Sequence, residues 1–566
     1  MTLQVTSYSK ASQDQRLVGS IAVLAALSGL LTISSLLFAL LHFHRPHVVS
    51  TDVHLTIIAG LSLIYLASAL NRGKRNAWYV SLGVYSYLVV RNSRHFLIDF
   101  PHAMNYHLLA VLNLLVPLLT LTLLVVYRHL FNVRSELRNF TSALVRSLII
   151  LLVAVVYGIA GFSLLDERDF HQEISTTSAV HYTVDQLGLT TNHQVSAYSK
   201  RAVVFVDSLA VVSLTALVYC AVAFFSPIRF RIGDHKRDSL DAQRILSRHA
   251  LTSEDFFKLW PPDKAYFFNP QRSAVIAYRA KHSVALAVGD PVGPTEEITE
   301  MLQRFMDFCR VNDWQPAFIH SDPTHLDLYR ELGFDIQKIG EEALVDTVEF
   351  IHGTGGSKDF RHIKNKFSKL GYSVRVLAPP HSSDLIEQLR LISNDWLKGP
   401  SRAERGFMMG YFSEAYIQQC QIVAAYNQAG ELQAFINQVP SPLSGEANFD
   451  FLRHRSGSPG NIHDYLMINF IEHLSNSGIA RLNMGLSPLS GLSKHRDNTS
   501  KVLNNFLNFA YQSGGRFYSF QGLTRFKAKY EPRWEDRYVV YRGGIKGFSK
   551  TMNALMFAMR VGRYHR

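Results

Sequence analysis

The sequence is short of cysteine, with 3 in 566 residues. Cys220, Cys309 and Cys420 lie far apart, with no CxxC pair and no histidine partner at zinc spacing. That excludes a disulfide framework and a zinc site, and it suits a reducing compartment for the soluble part. Acidic charge is also scarce: 45 Asp and Glu face 58 Lys and Arg, for a formal net charge of +13. Such a balance favours polyanionic partners, anionic lipid or nucleic acid. No cleavable leader is expected, because the first apolar run is too long for an h-region and further spans follow it.

Long hydrophobic runs are abundant before about Pro227 and absent after it. Five are long enough to cross a hydrocarbon core at about 20 residues each. They are Leu17–Phe43, Val53–Leu70, Tyr106–Tyr127, Ser142–Leu165 and Val203–Phe225. A sixth, Ala77–Val90, is short and aromatic-rich, and counting it as a span fits the loop charges. Alternate loops carry Lys10 and Arg16, then Arg72, Lys74 and Arg75, then Arg128, Arg134 and Arg138, then Arg229, Arg231, Lys236 and Arg237. By the positive-inside rule both termini are cytoplasmic. Asp207, inside the last span, reads equally as a functional carboxylate or a packing residue.

From Asp238 onward strand-like and helix-like patterns alternate. AVIAYRAKHSVALAVGDPVG reads as a hairpin ending in a Gly-Asp-Pro turn. EEITEMLQRFMDFCRVN spaces Ile298, Met301, Leu302, Phe305 and Met306 as an amphipathic helix. A second hairpin, VAAYNQAGELQAFINQVP, is followed by a helix, IHDYLMINFIEHLSNSG, and a strand, ARLNMGL. The expected fold is therefore an α-helical membrane domain over 1–237 followed by α+β units over 238–372 and 373–544. A basic amphipathic helix over 545–566 places Phe548, Met552, Leu555 and Met559 on one face, the pattern of a helix lying in an anionic membrane interface, with a core helix as the alternative.

Six motifs then occur in order: GDPVG (Gly289–Gly293), LYRELGF with KIGEEALVD (Leu328–Asp346), NDWL with Glu404 and GF (Asn394–Phe407), DFLRHR (Asp450–Arg455), NMGLSPLSGL (Asn483–Leu492) and FQGLTRFKAKYEPRWEDRY (Phe520–Tyr538). Together they closely resemble the synthase domain of the phosphatidylglycerol lysyltransferase family, the multiple peptide resistance factors, over about Asp238 to Gly544. The resemblance implies a tandem acetyltransferase-like (GNAT) fold that moves an aminoacyl group from aminoacyl-tRNA to phosphatidylglycerol. A bacterial inner membrane with a cytoplasmic C-terminal half would be its place, and lysine the leading amino acid, with alanine and arginine open. The effect would be a less anionic membrane and resistance to cationic peptides.

The residues carry their own reading. Acyl-CoA enzymes cradle pyrophosphate in a (Q/R)xxGx(G/A) loop at a helix N-terminus; here the place reads RHRSGSPGNIHDYL, without a clean match. No cofactor is expected. Ester exchange needs a proton acceptor and positive charge near oxyanion and phosphate. Asp450 with Arg453 supplies an anion and a cation, either as a reaction centre or as an ordinary salt bridge; Asp450 would bind the donor's α-ammonium or accept the hydroxyl proton, and Arg453 would hold the lipid phosphate by its planar fork. Lys527, Lys529 and Arg537 belong to a run of cations interleaved with aromatics, either a phosphate-binding surface or the solvated face of a strand. The resemblance adds Glu404 and Asn483. GDPVG reads as structural, with Asp290 capping the turn, and His320 and His463 read as fold residues. The rivals are an acyltransferase with another donor such as acyl-CoA, and a lipid flippase with a regulatory soluble part.

Overall fold

The computed structural model describes residues 16–34, 51–99, 107–133, 137–165, 167–170, 174–187, 198–224, 236–399, 402–441, 443–491 and 517–560. The chain divides into two compact units, Met1–Ile228 with Val311–Asp313, and Arg229–Arg310 with Trp314–Arg566.

Each of the six apolar runs forms a helix in the first unit: Arg16–Ser34, Thr51–Asn71, Arg75–Asp99, His107–Val126, Leu137–Leu164 and Lys200–Phe224. Among the described residues two stretches, Arg16–Ser34 and Leu144–Leu164, are long and apolar enough to cross a membrane. The end of the first run, beyond Ser34, lies outside the described residues. Small residues let the first two helices touch. A Cβ on Gly29 would sit 2.6 Å from the Gly60 carbonyl oxygen, and one on Gly60 would sit 2.9 Å from that of Gly29. Backbones packed this closely are how apolar helices associate where water gives no driving force. Tyr85, fully buried, donates to the Ala25 carbonyl at 3.2 Å.

The second unit is one 11-stranded sheet flanked by helices. Its strands are β1 (Ala265–Phe268), β2 (Val275–Lys281), β3 (Val284–Val288), β4 (Gln315–Ser321), β5 (Asp335–Asp346), β6 (Ser373–Leu377), β7 (Gln421–Tyr426), β8 (Leu432–Val439), β9 (Glu446–His454), β10 (Arg481–Pro488) and β11 (Arg533–Tyr541). The helices that matter are α1 (Ile298–Val311), α2 (Leu326–Glu331), α3 (Lys358–Lys369), α4 (Ser383–Leu397), α5 (Ile462–Asn476), α6 (Phe517–Ala528) and α7 (Gly544–Ala558).

The same plan occurs twice. Strands β1, β2 and β3 run antiparallel, α1 crosses over to β4 parallel to β3, and α2 leads to β5. Strands β7, β8 and β9 run antiparallel, α5 crosses over to β10 parallel to β9, and α6 leads to β11. The last strand of each half is exchanged: β11 pairs with β4 and β5, while β5 pairs with β10 and β11. The central order is therefore β4-β11-β5-β10, and β6 extends the far edge beside β7. Helix α5 carries the largest core. Its Tyr465, Leu466, Met467, Ile468, Phe470, Ile471 and Leu474 are buried against β5, β8 and β10, and removing one such aromatic side chain costs about 3–5 kcal/mol.

Two expectations change. The alternating stretch Arg525–Ala528 belongs to helix α6, not to a strand, and Lys529 follows in the turn after it. Helix α7 forms, but Phe548, Met552, Ala554 and Ala558 are buried against the sheet, and Leu555 and Met559 pack on the same cluster. That apolar stripe is consumed inside the protein and is not a face for a membrane; residues 561–566 lie outside the described residues.

Candidate functional site

Strand β9 departs from regular pairing where the chemistry gathers. Phe449 pairs with Gln438 and Leu452 with Ile436, so Asn437 alone faces both Asp450 and Phe451. The extra residue is a bulge, and it changes which side chains share a face. Residues three apart on a flat strand point oppositely; here Asp450, Phe451 and Arg453 point one way, while Phe449 and Leu452 pack on the α5 core. Asn437, fully buried, holds the bulge by accepting from the Asp450 N–H at 3.3 Å and the Phe451 N–H at 2.5 Å.

Asp450 is half-buried and accepts a hydrogen bond from Tyr416 Oη at 3.1 Å. Burial pushes its carboxyl up to about 7, against the pull of Arg453, Tyr416 and the Gly410 N–H. Gly410 has no room for a side chain: a Cβ would lie 2.3 Å from Asp450 Oδ2 and 2.4 Å from Tyr416 Cε1. Tyr416 itself is stacked on Trp260 at 5.3 Å. Arg453, 5% exposed, donates to both oxygens of Glu404 at 2.8 and 3.0 Å, to Ser393 Oγ, and stacks over Phe451 and Trp396. Its planar fork is thus taken by Glu404, which corrects the expectation that it grips a lipid phosphate directly.

A second cluster lies on the central strands. Arg537 of β11 is buried and paired with Glu342 of β5, and also contacts Glu535 at 3.3 Å. The Asn483 side chain on β10 lies against Glu342 and accepts from the Gly485 N–H at 2.8 Å. Lys527 of α6 donates to the Gly485 and Leu486 carbonyls at 2.8 and 2.9 Å. His320 of β4 lies 3.5 Å from Glu342 and 3.9 Å from Glu254. Glu254 stands on the short helical turn Ser253–Lys258, which is clamped to the sheet because Ser253 donates through N–H and Oγ to Glu446 at 2.8 Å each. Burial first, then Glu342, push Glu254 up to about 8; Lys527 and Arg537 oppose this, and Asp450 adds to it. Burial lowers Lys527 to about 8, and burial with Arg537, Lys258 and Lys527 lowers His320 to about 3. Because Glu254 feels both Asp450 and Glu342, the two clusters are neighbours in one polar site.

Of the seven residues expected from sequence, Asp450, Arg453 and Glu404 form the first cluster and Asn483, Lys527 and Arg537 the second. Lys527 and Arg537 are buried in internal contacts and are not part of an open phosphate-binding surface. Lys529 is elsewhere, bonded to Asp464 at 3.0 Å. Asp290 behaves as a structural cap, accepting from the Asp322 N–H and Tyr329 Oη. His320, read as a fold residue, is in the site. Glu254, Glu342 and Tyr416 were missed; Glu342 stood unremarked inside the quoted KIGEEALVD motif. Also missed was α3, whose sequence KDFRHIKNKFSK turns Phe360, Ile363 and Phe367 inward and leaves Lys358, Arg361, His362 and Lys369 exposed.

Glu254, His320 and Glu342 bring three donor atoms within 4.8 Å of one another, the one cluster among the described residues with metal-ligand groups so placed. A divalent ion there would face the Arg537 guanidinium and the Lys527 ammonium, so the surroundings do not suit one.

Residues 243–541 match the family model for the C-terminal part of phosphatidylglycerol lysyltransferase. A phosphatidylglycerol lysyltransferase of Bacillus subtilis is 30% identical over 301 residues, 53% of this chain and 34% of the relative. One from Staphylococcus aureus is 29% identical over 306 residues, 54% of this chain and 36% of the relative. The chain thus covers about a third of the length of these relatives. Among solved structures, a C-terminal domain assigned to a lysylphosphatidylglycerol synthetase of Agrobacterium fabrum matches with a TM-score of 0.51 at 25% identity. That match covers 58% of this chain and 98% of the other.

Proposed function

The chain belongs to the phosphatidylglycerol lysyltransferase family, and we propose that it transfers an aminoacyl group, lysyl foremost, from aminoacyl-tRNA to phosphatidylglycerol. The observation that carries this reading is Asp450, a carboxyl held near 7 by burial and aimed by Tyr416, beside a buried Arg453–Glu404 pair. A group titrating near the working pH is suited to take and return a proton. The lipid hydroxyl oxygen attacks the ester carbonyl carbon as its proton passes to Asp450. The bond from that carbon to the tRNA ribose oxygen then breaks, and the proton returns to the departing oxygen. No net acid or base is consumed. Arg453 positions Glu404 and adds positive potential near the developing oxyanion.

The exposed cations of α3 suit a polyanion such as tRNA, because each neutralised phosphate releases counterions. The six apolar helices are six membrane spans on this reading, with both termini cytoplasmic in a bacterial inner membrane, supported by the basic loops alternating with the runs. Neutralising a −1 headgroup would weaken the attraction of cationic peptides. The deciding experiment is mass spectrometry of lipids from cells expressing the chain or its Asp450→Asn variant. An aminoacyl-phosphatidylglycerol present only with the unaltered chain supports the reading, and none with either refutes it.

A further inference from the structure

We propose that Asp263 and Lys264, adjacent residues of the first half, are positioning residues for the transfer reaction: they clasp the backbone of Phe407 and so aim Asp450 and Arg453 in the second half. The proposal rests on the proton-accepting role of Asp450 given above and names what holds that carboxyl in place.

Phe407 needs holding. The Met408 N–H bonds to the Gly406 carbonyl at 3.0 Å, which puts Phe407 at the tip of a three-residue turn with a φ of 69°. That is the rarer, strained form of such a turn, and a residue with a Cβ keeps it only where its surroundings enforce it. Here both polar backbone groups of Phe407 are bound by one dipeptide. Its N–H donates to Asp263 Oδ2 at 3.1 Å, and its carbonyl accepts from Lys264 Nζ at 2.8 Å. The Lys264 side chain is fully buried and also donates to the Pro261 carbonyl at 2.8 Å and to Asp263 Oδ1 at 2.9 Å. An ammonium has three N–H donors, so each is used. Arg279 of β2 completes the clasp, donating to Asp263 Oδ2 at 2.7 Å and to the Ala558 carbonyl at 3.0 Å. The Gly406 N–H bonds to the Met559 carbonyl at 2.9 Å. A buried ion cluster adds little net stability, because desolvation offsets the attraction. What this one supplies is direction: moving Phe407 would strand a buried ammonium or carboxylate without its partner.

The anchored turn lies between two contacts with the reaction centre. Three residues before it, Glu404 takes the Arg453 guanidinium at 2.8 and 3.0 Å. Three residues after it, Gly410 gives its N–H to Asp450 and fits tightly, since a Cβ there would lie 2.3 Å from Asp450 Oδ2. The same first-half segment supplies Trp260, whose ring stacks on Tyr416 at 5.3 Å, and Tyr416 donates to Asp450. Gly410 and Tyr416 thus approach Asp450 together, and residues 260–264 brace both. A displacement of about 1 Å in such a group costs about 10²-fold in rate. Lys264 itself, buried with every donor used, acts only through the turn.

The test uses the purified full-length protein in detergent with lysyl-tRNA and phosphatidylglycerol vesicles, well below the melting temperature. Lys264→Met keeps the apolar stem and removes the ammonium. It should lower kcat by about 10–10²-fold and leave KM for lysyl-tRNA unchanged. The pH profile of kcat/KM should move up by about 0.5–1 pH unit, because the Gly410 N–H that lowers the Asp450 carboxyl is withdrawn while its burial remains. The other groups facing Asp450 are Arg453, Tyr416, Glu404 and Glu254, all unaltered by the substitution. Leu302→Ala is the control. It opens a cavity under α1, on the opposite face of β2, where Tyr278 meets Phe305 while Arg279 meets Ala558. It should lower the melting temperature with kcat and the pH profile unchanged. If Lys264→Met does not fold, Asp263→Asn, of the same shape and still an acceptor for the Phe407 N–H, should show a smaller shift of the same sign. A normal kcat with an unshifted profile overturns the proposal, as does a loss of kcat that Leu302→Ala reproduces.

The Asp450 carboxyl is also followed without catalysis, as the difference in melting temperature that Asp450→Asn makes across pH. In the Lys264→Met background that difference should level off at a higher pH. If it does so although Asp450→Asn alone leaves transfer normal, the clasp stands and Asp450 as proton acceptor is refuted. If it does not, while Asp450→Asn alone abolishes transfer, the clasp is refuted and the reaction centre stands.

Discussion

Asp450→Asn separates catalysis from stability, because the two should move in opposite directions. The carboxyl is held near 7, chiefly by burial, whereas an unfolded chain would hold it near ~4. A raised folded value means that the ionised form is penalised. The unaltered protein therefore loses stability as pH rises from ~4 to about 7 and stays lower above that. At 1.36 kcal/mol for each pH unit the penalty has a ceiling of about 4 kcal/mol; solvent reaching the half-buried carboxylate reduces it to on the order of 1–2 kcal/mol. Asparagine has the same shape, carries no charge, and still accepts from Tyr416. Asp450→Asn should melt at the same temperature as the unaltered protein near pH 4, and a few degrees higher at pH 8. Transfer should fall by about 10²–10⁴, the worth of a positioned proton acceptor. In the unaltered protein kcat/KM should rise with pH to a plateau above about 7. The assay is differential scanning fluorimetry in detergent across pH, run beside transfer of radiolabelled amino acid to lipid. Near-normal transfer by the variant, or a variant less stable at pH 8, refutes the reasoning.

Gly410→Ala should push Asp450 and Tyr416 apart at a cost of about 1–3 kcal/mol, read as a lower melting temperature and a reduced kcat. Arg453→Lys forfeits the two-point grip on Glu404 and should cost about 1–3 kcal/mol; pairing it with Glu404→Gln should cost less than the sum, as a double-mutant cycle would show. Lys529→Ala removes a half-exposed ammonium from Asp464, which keeps its bond from Tyr530 Oη, and should change stability by no more than about 1 kcal/mol with transfer intact. Phe548→Asp buries an unpaired charge in the sheet cluster and should abolish the folded protein in a detergent extract, while Lys546→Ala, on the exposed side of α7, should leave yield unchanged.

Local patterns were legible. The hairpin of β2 and β3, the helix α1 and the helix α5 follow from period-two and period-3.6 spacing, and the six apolar runs each became a helix. The strand exchange was not legible, since nothing near Arg533–Tyr541 records that this strand lies between β4 and β5. Asp450 and Arg453 were paired from DFLRHR with helix and strand both left open, and their shared face depends on the bulge at Asn437, which that motif does not reveal. The cations from Arg525 to Arg537 misled because density of charge looks alike whether it is displayed or neutralised. Lys527 ends on backbone carbonyls, Lys529 on Asp464 and Arg537 on Glu342. Glu342 was hidden for the opposite reason. Beside Glu341, which pairs with Lys338 nearer the surface, it looks like one of two equivalent acids, and only the sheet distinguishes them.

The exchange of final strands explains why the site is where it is. Had each half kept its own fifth strand, β4 would border β5 and β10 would border β11, leaving a seam between two complete sheets. Instead β11 and β5 cross the seam, and each brings one member of a buried charge pair, Arg537 and Glu342. Neither charge could remain buried without the other, because an isolated one would lose several kcal/mol of solvation. The pair therefore ties the two halves together and fixes an anion beside His320 of the first half and Asn483 of the second. Asp450 lies two strands further into the second half, in a position that the first half does not duplicate. A duplicated fold thereby carries an asymmetric site, with the Asp450 carboxyl on β9 at one end and the buried Arg537–Glu342 pair on the exchanged strands at the other.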